Sequence, residues 1–159
     1  MDARRREVLK TGGGVSLLAL VAAAGWLKPG EALAQGAAWN TAAFETHSLD
    51  DTVKAFGGSA PAQSKDIAFV STPDIAENGA VVPVGVSSSI PRTESIAILV
   101  EKNPNMLAAV FDIPAGTDPA VSTRIKMGQS SNVYALVKAD GKYYVASKEI
   151  KVTLGGCGG

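Results

Sequence analysis

The chain ends Leu154-Gly155-Gly156-Cys157-Gly158-Gly159, so its single cysteine lies two residues from the last position with glycine on both sides. A thiol can serve as nucleophile, metal ligand, disulfide partner or covalent attachment point. One cysteine cannot close an internal disulfide or build a thiolate cage, and a single histidine, His47, leaves little for imidazole-based zinc sites or triads. No metal site and no bound cofactor are therefore expected. Gly155, Gly156, Gly158 and Gly159 bury no apolar surface, and glycine loses more backbone freedom on ordering than any other residue. The segment is expected to be a flexible arm. At roughly 3.3–3.6 Å per residue, Cys157 can stand about 10 Å beyond Leu154, and such a slim arm suits a narrow channel.

Nothing adjacent in sequence would activate this thiol. The closest basic residue is Lys151, so the sulfur is expected to titrate near the reference value of about 8.5 and to need activation from a partner's site. A catalyst normally holds its nucleophile rigidly against a base, whereas a tethered, unsupported thiol fits a carrier. No catalytic residue is assigned, and the chain is expected not to be an enzyme. A lone cysteine is most often a small buried hydrophobe, which the four glycines argue against. In an oxidising compartment a Cys157-linked dimer is expected at least as a side reaction. The alternative function follows from it: an exported β-sandwich scaffold or adhesion protein whose tail cysteine only crosslinks subunits. A lipidated cysteine would directly follow a signal rather than stand at the opposite end, and a ubiquitin-like use of Gly158-Gly159 would need cytoplasmic nucleotide activation.

The other end of the chain reads as an address. Residues 1–34 combine a basic start (Arg4, Arg5, Arg6, Lys10), an uncharged stretch from Thr11 to Leu27 and a small-residue cleavage site at Ala32-Leu33-Ala34. The stretch carries Gly12, Gly13, Gly14 and Gly25 and falls short of the roughly 20 apolar residues of a spanning helix, so a permanent anchor is disfavoured. Arg5-Arg6-Glu7-Val8-Leu9-Lys10 is similar to a twin-arginine (Tat) signal, with Val8 where phenylalanine is usual. The competing reading is an ordinary Sec signal with a basic start; export to the periplasm, by the Tat route that carries folded proteins, is the expectation.

The 159 residues carry 15 basic and 15 acidic side chains. This balance excludes a protein that relies on neutralising many phosphates, so no nucleic acid is expected as partner. Removing residues 1–34 takes away five basic and three acidic residues and leaves ten against twelve, a formal net charge of −2 that would not attract an anionic membrane. With 46% hydrophobic and 19% charged residues the chain is not a disordered one, and the remaining 125 residues suffice for one core without disulfides.

That core must be built mainly from strands. Residues 35–47 read as a leading segment, with Trp39 and Phe44 isolated among small and polar residues. Ser48-Leu49-Asp50-Asp51 offers a serine cap with acidic residues in the first turn, and Gly57-Gly58 ends the one short helix expected there. Pro61 to Ser64 reads as loop. Seven strands are then expected: Asp66–Ser71, Ala80–Ser87, Ser95–Glu101, Leu107–Ile113, Ser122–Met127, Asn132–Ala139 and Lys142–Leu154. Asp140-Gly141 marks a tight hairpin. The last strand alternates Ile150, Val152 and Leu154 with Glu149, Lys151 and Thr153, which predicts one buried face. Pro83 within its run suggests an edge or a bulge. Tyr143 and Tyr144 should face opposite ways, one into the core and the other toward an interface. Arg124 is expected to face a partner or, in preference, to pair with a carboxylate of the sandwich, and His47 to be a surface residue. The fold class is all-β, an immunoglobulin-like antiparallel β-sandwich with a short N-terminal helix, and the organisation is signal 1–34, leading segment 35–47, sandwich 48–154 and arm 155–159.

The sequence resembles the SoxY family, the sulfur carriers of the Sox thiosulfate-oxidising system, from about Ile67 to Gly159. The resemblance runs through Pro73 to Val84 (PDIAENGAVVPV), Glu101 to Asn105 (EKNPN), Ser122 to Met127 (STRIKM) and Lys151 to Gly159 (KVTLGGCGG), and the twin-arginine signal fits it. It implies a heterodimer with a second small β protein, SoxZ, and Cys157 as the attachment point for the pathway intermediates. It further implies transient partners: the haem enzyme SoxXA, which couples thiosulfate to the thiol, SoxB, which hydrolyses off sulfate, and the sulfane dehydrogenase SoxCD where present.

Overall fold

The computed structural model describes residues 40–154. The signal-like residues 1–34, the leading residues up to 39 and the arm 155–159, including Arg5, Arg6 and Cys157, lie outside the described residues. Two short helices come first, α1 (Thr41–Phe44) and α2 (Leu49–Ala55). The capping expected for α2 is present: the Ser48 hydroxyl accepts from the Asp51 amide at 3.1 Å. Its C-terminus closes in a Schellman turn, in which Gly57 N–H donates to Lys54 O at 2.8 Å and Gly58 N–H to Val53 O at 2.9 Å. Gly57 has φ +76°, the left-handed conformation this turn requires. α1 was not anticipated, because four residues are too few to show a helical period; Asn40 caps it, and its inward residue Ala43 is fully buried.

Nine strands follow: β1 (Ala62–Gln63), β2 (Ile67–Val70), β3 (Ile75–Ala76), β4 (Val82–Ser88), β5 (Thr93–Val100), β6 (Leu107–Asp112), β7 (Ala120–Ile125), β8 (Ser131–Ala139) and β9 (Lys142–Val152). All seven expected strands are among them. The two additions, one of them inside the expected Pro61–Ser64 loop, are two-residue bridges that pair parallel with β9 at its two ends. Such bridges are made by backbone alone and leave no alternating pattern to read. The large sheet has the order β1-β9-β8-β5-β6, with β3 also on β9, and the small sheet has the order β2-β4-β7. Apart from the two bridges every pairing is antiparallel, and the chain crosses between sheets as in an immunoglobulin-like sandwich.

Both faces of the large sheet are covered. Ile96, Ile98 and Val100 of β5 with Val133, Ala135 and Val137 of β8 meet Val82, Val84 and Val86 of the small sheet in one core. Ala97, Leu99 and Leu136 point the other way, into a second core closed by Ala43 and Val53 of the helices. This explains why β5 and β8 read as nearly continuous apolar runs rather than alternations. The tyrosines face opposite ways, as expected: Tyr143 is buried under the helices, and Tyr144 packs half-buried against the inter-sheet core. Tyr143 donates to Phe56 O at 3.1 Å and stacks on the Phe56 ring.

Pro83 proves to lie in a central strand, on the part of β4 that has a single neighbour. The β2 pairing reaches only Gly85, so Pro83 faces Arg124 of β7 and its missing N–H deprives no second strand. Asp140 (φ +49°) and Gly141 (φ +69°) form the expected hairpin turn between β8 and β9.

Candidate functional site: the root of the carrier arm

The candidate site is the end of β9, beyond which residues 155–159 lie outside the described residues. β9 is a rail of eleven residues from the Asp140-Gly141 turn to Val152. Its first half is buried on both faces, through Tyr143 and Val145 on one side and Tyr144 and Ala146 on the other, while its second half is buried on one, through Ile150 and Val152. The expected buried face stops short, because Leu154 is 64% exposed rather than continuing the row.

A strap formed by residues 72–79 holds this second half. Lys151 N–H donates to Asp74 O at 2.9 Å, and Thr153 N–H to Ala76 O at 3.0 Å. The Thr153 hydroxyl donates to Glu77 O at 3.0 Å. Gly79 N–H donates to Leu154 O at 2.7 Å, and Met127 N–H donates to Gly79 O at 2.7 Å, which ties the strap to the end of β7. Lys148 anchors the strap's start through Thr72 O at 2.5 Å and the Asp74 carboxylate at 3.0 Å. On the opposite side Val152 N–H donates to the Ser130 hydroxyl at 2.9 Å. Asn103 reaches across from the loop after β5, donating to Lys126 O at 2.8 Å and accepting from Gly128 N–H at 3.3 Å.

Four segments far apart in sequence are thus gathered at one pole: 73–84, 101–105, 122–127 and the end of β9. These are the segments on which the resemblance rests. Sequence reading missed their convergence, because strand order cannot be read from alternation. The single available signal was that Ile75 and Val81 are large apolar residues beside turn-forming Asp, Asn and Gly.

The other residues singled out fall elsewhere. His47 is exposed, as expected, with Nδ1 2.6 Å from Pro104 O. Arg124 is exposed and, contrary to expectation, makes no ion pair among the described residues. Near the same pole the Tyr134 phenol titrates above its ordinary range, first because it is partly buried and second because Glu101 faces it. No cluster of three His, Cys, Asp or Glu side chains that could hold a metal is present among the described residues, and none of their helices is long and apolar enough to cross a membrane. An open cleft between Ser88, Arg92, Glu94, Ile113, Thr117 and Asp140 lies at the other end of β9. Eleven residues at about 3.3 Å each put it roughly 35 Å from the strapped end of that strand.

The fold and the strapped end of its last strand define a class: an immunoglobulin-like β-sandwich whose last strand is tied down at one pole by the 72–79 strap. The family model described as sulfur oxidation protein SoxY matches residues 52–157, a range that ends on the cysteine. A solved structure of the sulfur carrier protein SoxY from Chlorobium limicola f thiosulfatophilum is 42% identical and has a TM-score of 0.60, covering 67% of this chain and 96% of that one. The chain belongs to the SoxY family. The human F-spondin reeler domain is 10% identical with a TM-score of 0.38, covering 60% of this chain and 94% of that one. No curated protein sequence matches significantly.

Proposed function

We propose that this protein is a periplasmic sulfur carrier, exported by the Tat route, that holds thiosulfate-derived intermediates on Cys157 and presents them to partner enzymes. The observation that carries this reading is the family match running to Cys157, the only thiol of the chain. The strap supports it, since a β9 fixed to its end delivers the following residues from a defined point.

Cys157 is loaded by oxidative coupling: the thiol and thiosulfate lose one proton and two electrons to a haem enzyme of the SoxXA kind and form a cysteine S-thiosulfonate. A hydrolase of the SoxB kind adds water across the terminal S–S bond, releasing sulfate and leaving a persulfide. A sulfane dehydrogenase such as SoxCD oxidises that sulfur further, and a second hydrolysis restores the thiol. Tethering keeps one reactive sulfur from escaping between active sites. The adducts are anionic, so the donors that stabilise them belong to the partners' channels. The chain itself acts as substrate in each step and catalyst in none, needs no cofactor, and pairs with a SoxZ-like subunit.

Intact mass spectrometry of the protein from thiosulfate-grown cells tests the reading. Reductant-labile sulfur adducts are expected on the terminal peptide and should vanish in Cys157→Ala. Unmodified protein during active thiosulfate oxidation would overturn it. A thiosulfate-independent disulfide dimer as the sole modification would point instead to a crosslinked scaffold.

A further inference from the structure

Asn78 and Gly79 close the strap at the turn into β4, where Val81 N–H donates to Asn78 O at 3.3 Å. The pair is the one asparagine–glycine step in the chain. An asparagine side chain followed by glycine is readily attacked by the next backbone nitrogen, because glycine has no Cβ to hinder the approach. The other asparagines are less open to this chemistry. Thr41, Met106 and Val133 follow three of them with bulkier side chains, and Pro104 follows Asn103 with no N–H to give up.

Asn78 is exposed, and its Oδ1 accepts from Ala80 N–H at 2.8 Å, so the side-chain amide is already turned back along its own backbone. The fold withholds the nucleophile instead. Gly79 is buried, and its N–H donates to Leu154 O at 2.7 Å. Attack needs this nitrogen deprotonated and free to turn, a requirement close to that of amide hydrogen exchange, and a hydrogen-bonded amide meets it only when the bond opens. Thr153 ties the same end of the chain to the strap twice more, through its N–H to Ala76 O at 3.0 Å and its hydroxyl to Glu77 O at 3.0 Å.

We propose that Asn78 is a deamidation site latched by the end of β9: release of Leu154 from Gly79 lets the reaction proceed, and its isoaspartate product then keeps the strap unfastened. The Gly79 nitrogen loses its proton to hydroxide and bonds to Asn78 Cγ, the Cγ–Nδ2 bond breaks, and ammonia leaves with a proton taken from water. Water then adds to the five-membered imide at either carbonyl, giving aspartate or isoaspartate, with no oxidant or reductant involved. Isoaspartate carries the chain through its side-chain carbons and so inserts an extra methylene into the backbone just ahead of Gly79. That moves Gly79 N–H away from Leu154 O, and Gly79 O away from Met127 N–H, which donates to it at 2.7 Å. A transient opening is converted into a lasting one. The site is independent of the sulfur chemistry proposed above.

The test incubates the full-length protein and the peptide Glu-Asn-Gly-Ala-Val in the same mildly alkaline buffer and follows the asparagine by peptide mapping. Conversion in the folded protein is expected to be at least about tenfold slower than in the peptide, by a factor that matches the slowing of Gly79 amide exchange. Thr153→Pro removes both Thr153 bonds and keeps Leu154; it is expected to speed conversion about fivefold or more while the Val133 amide stays protected, the sign of a folded sandwich. Conversion as fast in the wild-type protein as in the peptide would overturn the latch, and so would an unchanged rate in folded Thr153→Pro. Should that variant unfold, the match between conversion and Gly79 exchange in the wild type decides alone. The isoaspartate form, isolated chromatographically, is expected to exchange its Thr153 amide about fivefold or more faster than unmodified protein, whereas Asn78→Asp, with the charge and without the extra methylene, matches wild type. Unchanged Thr153 exchange in the isoaspartate form would overturn the lasting release.

Discussion

The amide of Gly79 donates to the carbonyl of Leu154 at 2.7 Å, so the strap grips the chain at the last residue before the glycine arm. Rigid support thus extends to Leu154, the last of the described residues.

The Ser130 hydroxyl, as acceptor for Val152 N–H, is the support most easily removed from that root. Ser130→Ala leaves a half-buried amide without its partner, at a cost of about 1 kcal/mol. Hydrogen exchange of the Val152 amide is expected to quicken roughly fivefold or more, with little change at Val133 and Val137 in the centre of β8. Uniform acceleration across the sheet would mean that the end of β9 does not open as a local unit.

The helical layer depends on a glycine for a different reason. A Cβ at Gly58 would lie 2.3 Å from Tyr143 Cε2 and 2.9 Å from Val53 Cγ1. Tyr143 is held by its bond to Phe56 O, so it cannot swing aside freely. Gly58→Ala should destabilise the domain by about 1–3 kcal/mol, lowering Tm by several degrees, as in other overpacked cores. Tyr143→Phe, which removes only the hydrogen bond, should cost about 1 kcal/mol. In the double variant Gly58→Ala with Tyr143→Ala most of the steric part of the glycine effect should disappear, leaving the lesser contact with Val53, a coupling measurable by a thermal-unfolding cycle.

How much of this was legible in sequence varied with the reach of each interaction. The Ser48 cap, the Asp140-Gly141 turn and the seven longer strands are local, and each left a residue-type signature. The two parallel bridges on β9 were invisible because Ala62–Gln63 and Ile75–Ala76 are too short to alternate. The two-sided burial of β5 and β8 was partly visible as unbroken apolar runs, but the small helix α1 that helps close the second core was not. The strap meets the end of β9 through three backbone hydrogen bonds, which no side-chain pattern encodes. The Gly-flanked Cys157 could be singled out by sequence alone, since its character comes from its neighbours in the chain.

The hairpin that starts β9 requires positive φ at both turn residues, +49° at Asp140 and +69° at Gly141. Gly141→Ala puts a Cβ into that conformation and is expected to cost about 1–2 kcal/mol. Asp140→Asn keeps a residue that tolerates the turn and loses only an exposed ion pair with Arg92, so it should change stability by less than about 1 kcal/mol. The contrast, measured by urea unfolding, separates backbone strain from charge; a larger loss in Asp140→Asn would reverse that assignment.

Acid sensitivity should have an identifiable contributor beside the same turn. Lys138 donates to Glu94 at 2.9 Å, and Gly141 N–H donates to the same carboxylate at 3.2 Å. The Lys138 bond first, and then the backbone bond, hold the Glu94 carboxyl below its ordinary value. A carboxylate whose value is lowered by folding stabilises the native state at pH above its unfolded value, and that contribution is lost as pH falls through the lowered, folded one. Lys138 moves upward, chiefly through the same bond with Glu94, so its share is present below the ordinary lysine range and lost as pH rises through the raised value. Between these limits both are ionised and the pair is at full strength. Glu94→Gln should therefore flatten the acid limb of the stability curve while leaving the amide bond to Gly141 replaceable by the side-chain oxygen. Both side chains are exposed, so added salt should shrink the difference between variant and wild type. Thermal unfolding followed from neutral pH down through the carboxylate range, at low and high salt, measures it; an acid limb of unchanged slope in Glu94→Gln would remove this pair as a contributor.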